Sequence, residues 1–305
     1  MNNDRTQEVK NYRMIIHGQM KKKYRTRIII DKLVSVFAIV CIVAAIIPLA
    51  SILIEVVKNG AGVISFEFLT SPQGSIGSGG GGIGPAIQGT IIVVALASLI
   101  AIPAGVLTGI YLSEFAGNGI FPHAVRFLND MLTGLPSIVI GIVGYIMIVL
   151  AIGSFSVWAG ALALSIIMIP ILVRVTEETL KIVPHSLREA GYALGISKAK
   201  ITSRIVLTTG KSGVLTGIVL GMARIAGETA PLIMTILGTS LFFSTLTGPV
   251  DALPLRIWRL AAQPYESAHA FGWGAALVLI LMVLGLNVGL RLLAYKKGFT
   301  ISTEA

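Results

Sequence analysis

The chain has 305 residues, 54% of them hydrophobic and only 12% charged, with a mean hydropathy of +0.86. This balance excludes a water-soluble fold and points to a multi-pass membrane protein. The net charge of +10 does not signal nucleic acid, because Lys and Arg border the apolar blocks on one side, the positive-inside pattern.

Residues 1–32 form a basic arm that includes Lys21, Lys22 and Lys23 and ends at Lys32. Such a run attracts anionic headgroups, but a topology anchor is the more economical reading. The apolar block 33–57 is too long for a signal-peptide core and no small-residue cleavage site follows it, so it reads as a first membrane helix. Cys41, the one cysteine, lies inside it and leaves neither an intrachain disulfide nor a Cys-rich metal site.

Residues 58–85 are a glycine-rich external loop. A Gly-x-Gly-x-x-Gly match falls on Gly79, Gly81 and Gly84, but a phosphate cradle needs a strand before it and a βαβ unit around it. A flexible linker is the expectation. The second membrane helix spans 86–112 and carries a close-packing pair, Gly105 and Gly109. A short polar loop leads to helix three at 132–152, which follows Asn129 and Asp130 and contains Leu135-Pro-Ser-Ile-Val-Ile-Gly141. Helix four covers 157–173, helix five 212–237, an external loop 238–269 and helix six 270–294.

Six crossings place both termini and the loop 174–211 on one side. Twenty Lys and Arg flank that side against three, Lys58, Arg256 and Arg259, on the other, which assigns the termini and this loop to the cytoplasm. Within the loop, Ser186 and Glu189 have capping-box spacing. Leu187, Ala190, Gly191 and Leu194 recur at i, i+3, i+4 and i+7 as a narrow, mostly small apolar stripe. Gly195 then suits a helix stop, and Ser197 can start a second helix. The unit is helix, glycine turn, helix, with a surface suited to docking into a cleft.

The four histidines sit in or beside different loops, with no HExxH or Cys-His spacing, so no metal or hydrolytic site is expected. Gly210-Lys211-Ser212 is like the end of a phosphate-binding loop, but Ile205 stands where the first glycine is required and no strand precedes it. Helix five carries Arg224 and Glu228 in an apolar run. At about 100° per residue, Gly213, Gly217, Gly221, Arg224, Glu228, Pro231 and Thr235 fall within roughly 80° of arc. Arg224 and Glu228 have i,i+4 spacing, and Pro231 is expected to bend the helix beside them. Two readings stand here: a buried ion pair that locks helices together, or the lining of a translocation path in which Arg224 meets an anion and Glu228 holds or gates it.

The loop resembles the EAA loop of type I ABC importer permeases. Glu189, Ala190, Gly195, Ile205 and Leu207 fall on its pattern, while Gly191 replaces its second Ala and Thr208 its Pro. The stretch Ala223-Arg-Ile-Ala-Gly-Glu-Thr-Ala-Pro-Leu-Ile-Met-Thr235 resembles the signature of the A-type permease of bacterial phosphate importers. The similarity extends to Leu135–Gly141, to Ala252-Leu-Pro-Leu-Arg-Ile-Trp258 and to Asn287.

The resemblance implies an all-α integral membrane fold with six transmembrane helices and a cytoplasmic helix-turn-helix coupling loop. The resemblance covers roughly residues 86–294; with the hydropathy and charge pattern the domain plan is a basic cytoplasmic arm at 1–32, a first helix with a glycine-rich external loop at 33–85, a permease core at 86–294 that contains the EAA loop 174–211, and a cytoplasmic tail at 295–305. The resemblance also implies a transport subunit of the bacterial inner membrane with no cofactor and no ATPase site of its own. ATP and Mg then sit on a homodimeric cytoplasmic ATPase. The other partners are a second, C-type permease, an extracytoplasmic phosphate-binding protein and the lipid bilayer. Glu189, Ala190, Gly191, Leu194 and Gly195 are the expected coupling residues, and Arg224, Glu228, Thr229 and Pro231 the expected substrate path. A permease of the same architecture for sulfate, molybdate, an amino acid or an osmolyte is the runner-up. An ATP-independent transporter and a polytopic enzyme fit less well, for want of an internal repeat and of clustered catalytic residues.

Overall fold

The computed structural model describes residues 2–74, 81–117 and 119–296. Among these residues the regular structure is helical, and β pairing is limited to two isolated bridges, Gln73 with Gly81 and Leu237 with Val250. Among the described residues five helices are long and apolar enough to cross a bilayer, and the count is six when a sharply bent pair is taken as one span. The all-α, six-span expectation holds.

The chain divides into two compact units, residues 1–55 and 56–305. The first is most of α1 (Asn2–Gly60), which contains Pro48. From Leu33 to Ile54 its large apolar side chains are exposed, the pattern of a helix whose surroundings are themselves apolar.

In the second unit, α2 (Phe66–Thr70) starts on Ser65, whose hydroxyl accepts from the Phe68 amide at 3.1 Å. The glycine-rich segment departs from the linker expectation at its end. Gly82 donates to the Pro72 carbonyl at 2.8 Å, Ile83 to Phe68 at 2.7 Å and Gly84 to Ser71 at 3.1 Å. A Cβ on Gly82 would collide with the Phe68 carbonyl oxygen and one on Gly84 would stand 2.8 Å from that of Thr70, so these glycines serve close packing and not phosphate binding. Gly79 lies outside the described residues.

Helix α3 (Gly84–Ile110) ends in a π turn, Tyr111–Phe115. The expected polar loop contains an amphipathic helix, α4 (Ile120–Gly134), which turns by 102° into α5 (Ser137–Gly144). Pro136 causes the turn, since its ring holds Leu135 extended at φ −71° and ψ 136°. α5 continues through a π turn at Tyr145–Val149 into α6 (Leu150–Ile152). The third crossing therefore begins at Ser137, not at 132, and spans only about 24 Å, less than the roughly 30 Å of hydrocarbon core.

Helix α7 (Val157–Ile182) is capped by the Ser156 hydroxyl and runs well beyond the expected end at 173. Its charges prolong it. Arg174 pairs with Glu178 at 3.0 Å and Lys181 with Glu177 at 2.6 Å, both at i,i+4. After α8 (His185–Ala193), α9 (Lys198–Ile201) passes through a π turn at Thr202–Val206 into α10 (Leu207–Ala226). The fifth crossing thus runs from Lys198 to Ala226, not from 212 to 237. A separate α11 (Ala230–Thr235) follows, then α12 (Leu253–Ala261) and α13 (Glu266–Lys296).

Glycine contacts assemble the core around α7. A Cβ on Gly105 or Gly109 of α3 would stand 2.6 Å from the Cβ of Leu172 or Thr176. On α10, Gly210, Gly213, Gly217 and Gly221 meet Leu180, Thr179, Val175 and Met168 in turn. Lipid tails are as apolar as leucine, so such close backbone approach, and not apolar burial as such, holds membrane helices together.

Candidate functional site

The expected coupling residues lie on α8, in its turn and beside the start of the fifth crossing. No capping box forms: the N-cap of α8 is Pro184, with no side-chain cap bond, because Pro184 itself supplies an extended break and the helix starts one residue before Ser186. Glu189, Ala190, Leu194 and Gly195 are exposed. Gly195 adopts φ +70°, and the following amide, that of Ile196, returns to the Gly191 carbonyl at 3.1 Å, a glycine-type helix stop as expected. Gly191 faces inward, where a Cβ would stand 2.8 Å from Ile201. It therefore seats α8 on α9, while Leu187, Ala190 and Leu194 stay open. Gly210 and Ser212 lie within α10, not in a phosphate loop.

Arg188, which the sequence reading passed over, ties this unit to two crossings. Its Nε and Nη2 donate to the two Glu114 carboxylate oxygens at 3.1 and 2.6 Å, in the π turn after α3. Its Nη1 donates to the Val183 carbonyl at 2.6 Å and its Nη2 to that of Leu180 at 2.9 Å. Arg188 in this way closes the end of α7, since the Leu180 carbonyl, which also accepts from the Val183 amide at 3.2 Å, and the carbonyl of the C-cap Val183 both accept from it. The paired Glu114 carboxylate raises the Arg188 guanidinium above its ordinary value, against its burial. Lys198 adds a second link, with Nζ 5.3 Å from the Phe115 ring centre. Below these polar contacts, Leu180, Val183, Ile201, Val206 and Val214 form an apolar cluster that the ends of α3, α7 and α10 share.

The second site is the break after α10. Gly221 opposes Met168, near the middle of α7, so the next turn lies deep in the membrane. The helix stops at Ala226, Gly227 follows at φ −96° and ψ 0°, and Thr229 is the N-cap of α11. The expected bend at Pro231 is thus a full break three residues earlier. Pro231 occupies the first turn of α11, where its missing N–H costs nothing. The break also confines the small-residue arc to α10, since Glu228, Pro231 and Thr235 no longer continue it.

Arg224 and Glu228 pair across the break, Nη2 to Oε1, at 3.0 Å. The pair is lopsided: the Glu228 side chain is 10% exposed and that of Arg224 61%. One carboxylate is fixed in the protein and its cation leans outward. Facing them is the other broken crossing. A Cβ on Gly141, one turn into α5, would stand 2.8 Å from Pro231 Cα, and one on Gly144 3.1 Å from Thr235. Leu135–Gly141 and the Ala223–Thr235 stretch, far apart in sequence, are packed together. Mid-membrane helix breaks of this kind are tolerated where they line a cavity or lie within protein.

Among the described residues no group of His, Cys, Asp and Glu could hold a metal.

The profile of the binding-protein-dependent transport system inner membrane component family matches residues 101–296. The chain is 40% identical over 246 residues to the phosphate transport system permease protein PstA of Yersinia pestis, covering 81% of this chain and 83% of that one. It is 39% identical over 271 residues to the probable phosphate transport system permease protein PstA of Methanocaldococcus jannaschii, covering 88% and 95%. Its fold matches a chain of a bacterial alginate ABC transporter solved with an alginate-bound periplasmic protein, with a TM-score of 0.64 at 15% identity over 87% of this chain and 95% of that one. The inward-facing MetNI methionine ABC transporter gives a TM-score of 0.56 at 15% identity over 69% and 95%. The chain belongs to the family of binding-protein-dependent transport system inner membrane components and, within it, to the PstA-type permeases.

Proposed function

We propose that this chain is the membrane-spanning permease subunit of an ATP-driven importer of inorganic phosphate. The observation that carries the reading is the Arg224–Glu228 pair, held at 3.0 Å with its cation 61% exposed at a mid-membrane helix break. A charge at that depth costs roughly 3 kcal/mol or more unless paired or wetted. Glu228 compensates Arg224 while the path is empty, and a passing anion takes the open side of the guanidinium. Thr229 and Pro231 shape the break, and Arg224 is the group that meets the substrate. Phosphate as the anion is supported by the names of the relatives at 40% and 39% identity.

In this reading the chain is not an enzyme and holds no cofactor. ATP and Mg belong to a homodimeric ATPase that engages Glu189, Ala190 and Leu194 on the open side of α8, with Gly191 and Gly195 setting the pose of that helix. A C-type permease completes the path, and an external phosphate-binding protein loads it. The excess of basic residues around the α8 side supports a cytoplasmic location for both termini and for the ATPase. Proteoliposomes with the assembled importer test the proposal: radiolabelled phosphate is taken up only with ATP and binding protein, and excess sulfate does not compete. Uptake without ATP, or equal competition by sulfate, overturns it.

A further inference from the structure

At the membrane face opposite α8, the segment between α11 and α12 closes over the start of α7. Ser156 donates to the Thr235 carbonyl at 3.1 Å and Val157 to that of Gly248 at 3.2 Å. Asp251, fully buried, anchors this cover. Its Oδ2 accepts from Arg256 Nε at 2.6 Å, and its Oδ1 accepts from Arg259 Nη2 at 2.8 Å. Two guanidiniums share one carboxylate, which leaves one positive charge in excess.

Burial makes that uncompensated charge costly. Arg256 is 2% exposed, and desolvation pulls its guanidinium below the ordinary value while Asp251 opposes the shift. Arg259 is seated by Gly238, at φ +79°, where any Cβ would collide with the guanidinium. Its Nε is buried and has no hydrogen-bond partner. A buried donor of that kind is destabilising until an acceptor arrives.

A cavity of about 370 Å³ lies against both arginines, with Gln73, Gly74, Ser240, Leu260 and Gln263 as its other walls. None of these lining side chains is acidic; the Ser240 hydroxyl donates to Gln73 Oε1 at 3.2 Å, which leaves the amide and guanidinium groups as donors toward the cavity. Positive charge and several donors suit an anion with several acceptor oxygens.

We propose that this cavity is an outward-facing site for a phosphate-type oxyanion, with Arg259 as its main ligand and Gln73, Ser240 and Gln263 around it. The site rests on the phosphate-import reading and deepens it, by giving the anion a place to wait before it reaches Arg224. Asp251 and Arg256 build the seat, and Arg259 serves both the seat and the anion.

Equilibrium binding of radiolabelled phosphate to the permease–ATPase complex in phosphatidylcholine nanodiscs, without binding protein, tests the site. Arg259→Gln should weaken binding by roughly tenfold or more, the size of one charge-assisted contact. Gln263→Ala leaves the Asp251 clamp whole and should weaken it by a smaller factor, which keeps the test valid should the first variant fail to assemble. Unchanged affinity in the variants overturns the proposal. Displacement of phosphate by added phosphatidylglycerol also overturns it, by assigning the cavity to a lipid headgroup. A complex that imports phosphate but shows no Arg259-dependent binding removes this site alone, and one that binds at Arg259 yet imports nothing removes the import reading alone.

Discussion

Arg188 holds both carboxylate oxygens of Glu114, at 3.1 and 2.6 Å, with side chains 11% and 5% exposed. The residues are far apart in sequence and lie on different elements, so the pair joins α8 to the end of the second crossing. Removing one partner from a buried ion pair costs about 3–5 kcal/mol, because the other is left uncompensated. Arg188→Ala should therefore detach α8 from α3 and from the last turn of α7. The expected result is an assembled complex that hydrolyses ATP but has lost at least roughly tenfold in uptake per ATP. Glu114→Gln should do the same, and the double variant should cost less than the sum of the two. Fully additive losses count against a strut.

Arg224→Gln and Glu228→Gln separate path from structure. Each should abolish phosphate uptake while the complex co-purifies intact, because Arg224 is mostly exposed and the pair does not stitch two distant elements. Co-purification with the ATPase is the measurement, and loss of assembly would favour a structural ion pair.

Gly191→Leu is expected to push α8 away from Ile201 and to uncouple ATP hydrolysis from uptake. Because the collision is with one side chain, adding Ile201→Ala should restore part of the coupling. A single variant that couples normally places the force elsewhere on α8.

Gly217→Leu tests the packing of α10 on α7. The new side chain would meet Val175, whose Cγ1 lies 2.7 Å from the position of a Cβ. Overpacking of this kind costs typically 1–3 kcal/mol, so the complex should lose thermal stability by several degrees. Gly285→Leu, at a position with nothing within 4 Å of a Cβ, should be neutral in the same melt.

The number of crossings was legible in the sequence, because long apolar runs follow from bilayer thickness alone. Their ends were less so. Arg174, Glu177, Glu178 and Lys181 look like a loop to a hydropathy reading, yet their i,i+4 pairs carry α7 past the bilayer. The apolar pattern from residue 132 runs straight across Pro136, so hydropathy alone hides the turn that the proline marks. The Arg224–Glu228 pair was readable from spacing. The Arg188–Glu114 pair was not, because a long-range contact leaves no periodic trace. Its one signal was an acidic residue, Glu114, just past the end of an apolar run. Gly191 was read as part of an open docking stripe, and only the position of Ile201 turns it inward.

The fifth crossing is continuous helix from Lys198, beside α8, to Ala226, at the break before α11. At 1.5 Å per residue, Lys198 and Arg224 are about 39 Å apart along one rod. Were the rod to pivot near its coupling end by about 5°, Arg224 would sweep some 3 Å, on the order of a whole hydrogen-bond length. The glycines against α7 fix where such a lever finds its fulcrum, and its tip carries the exposed guanidinium of Arg224.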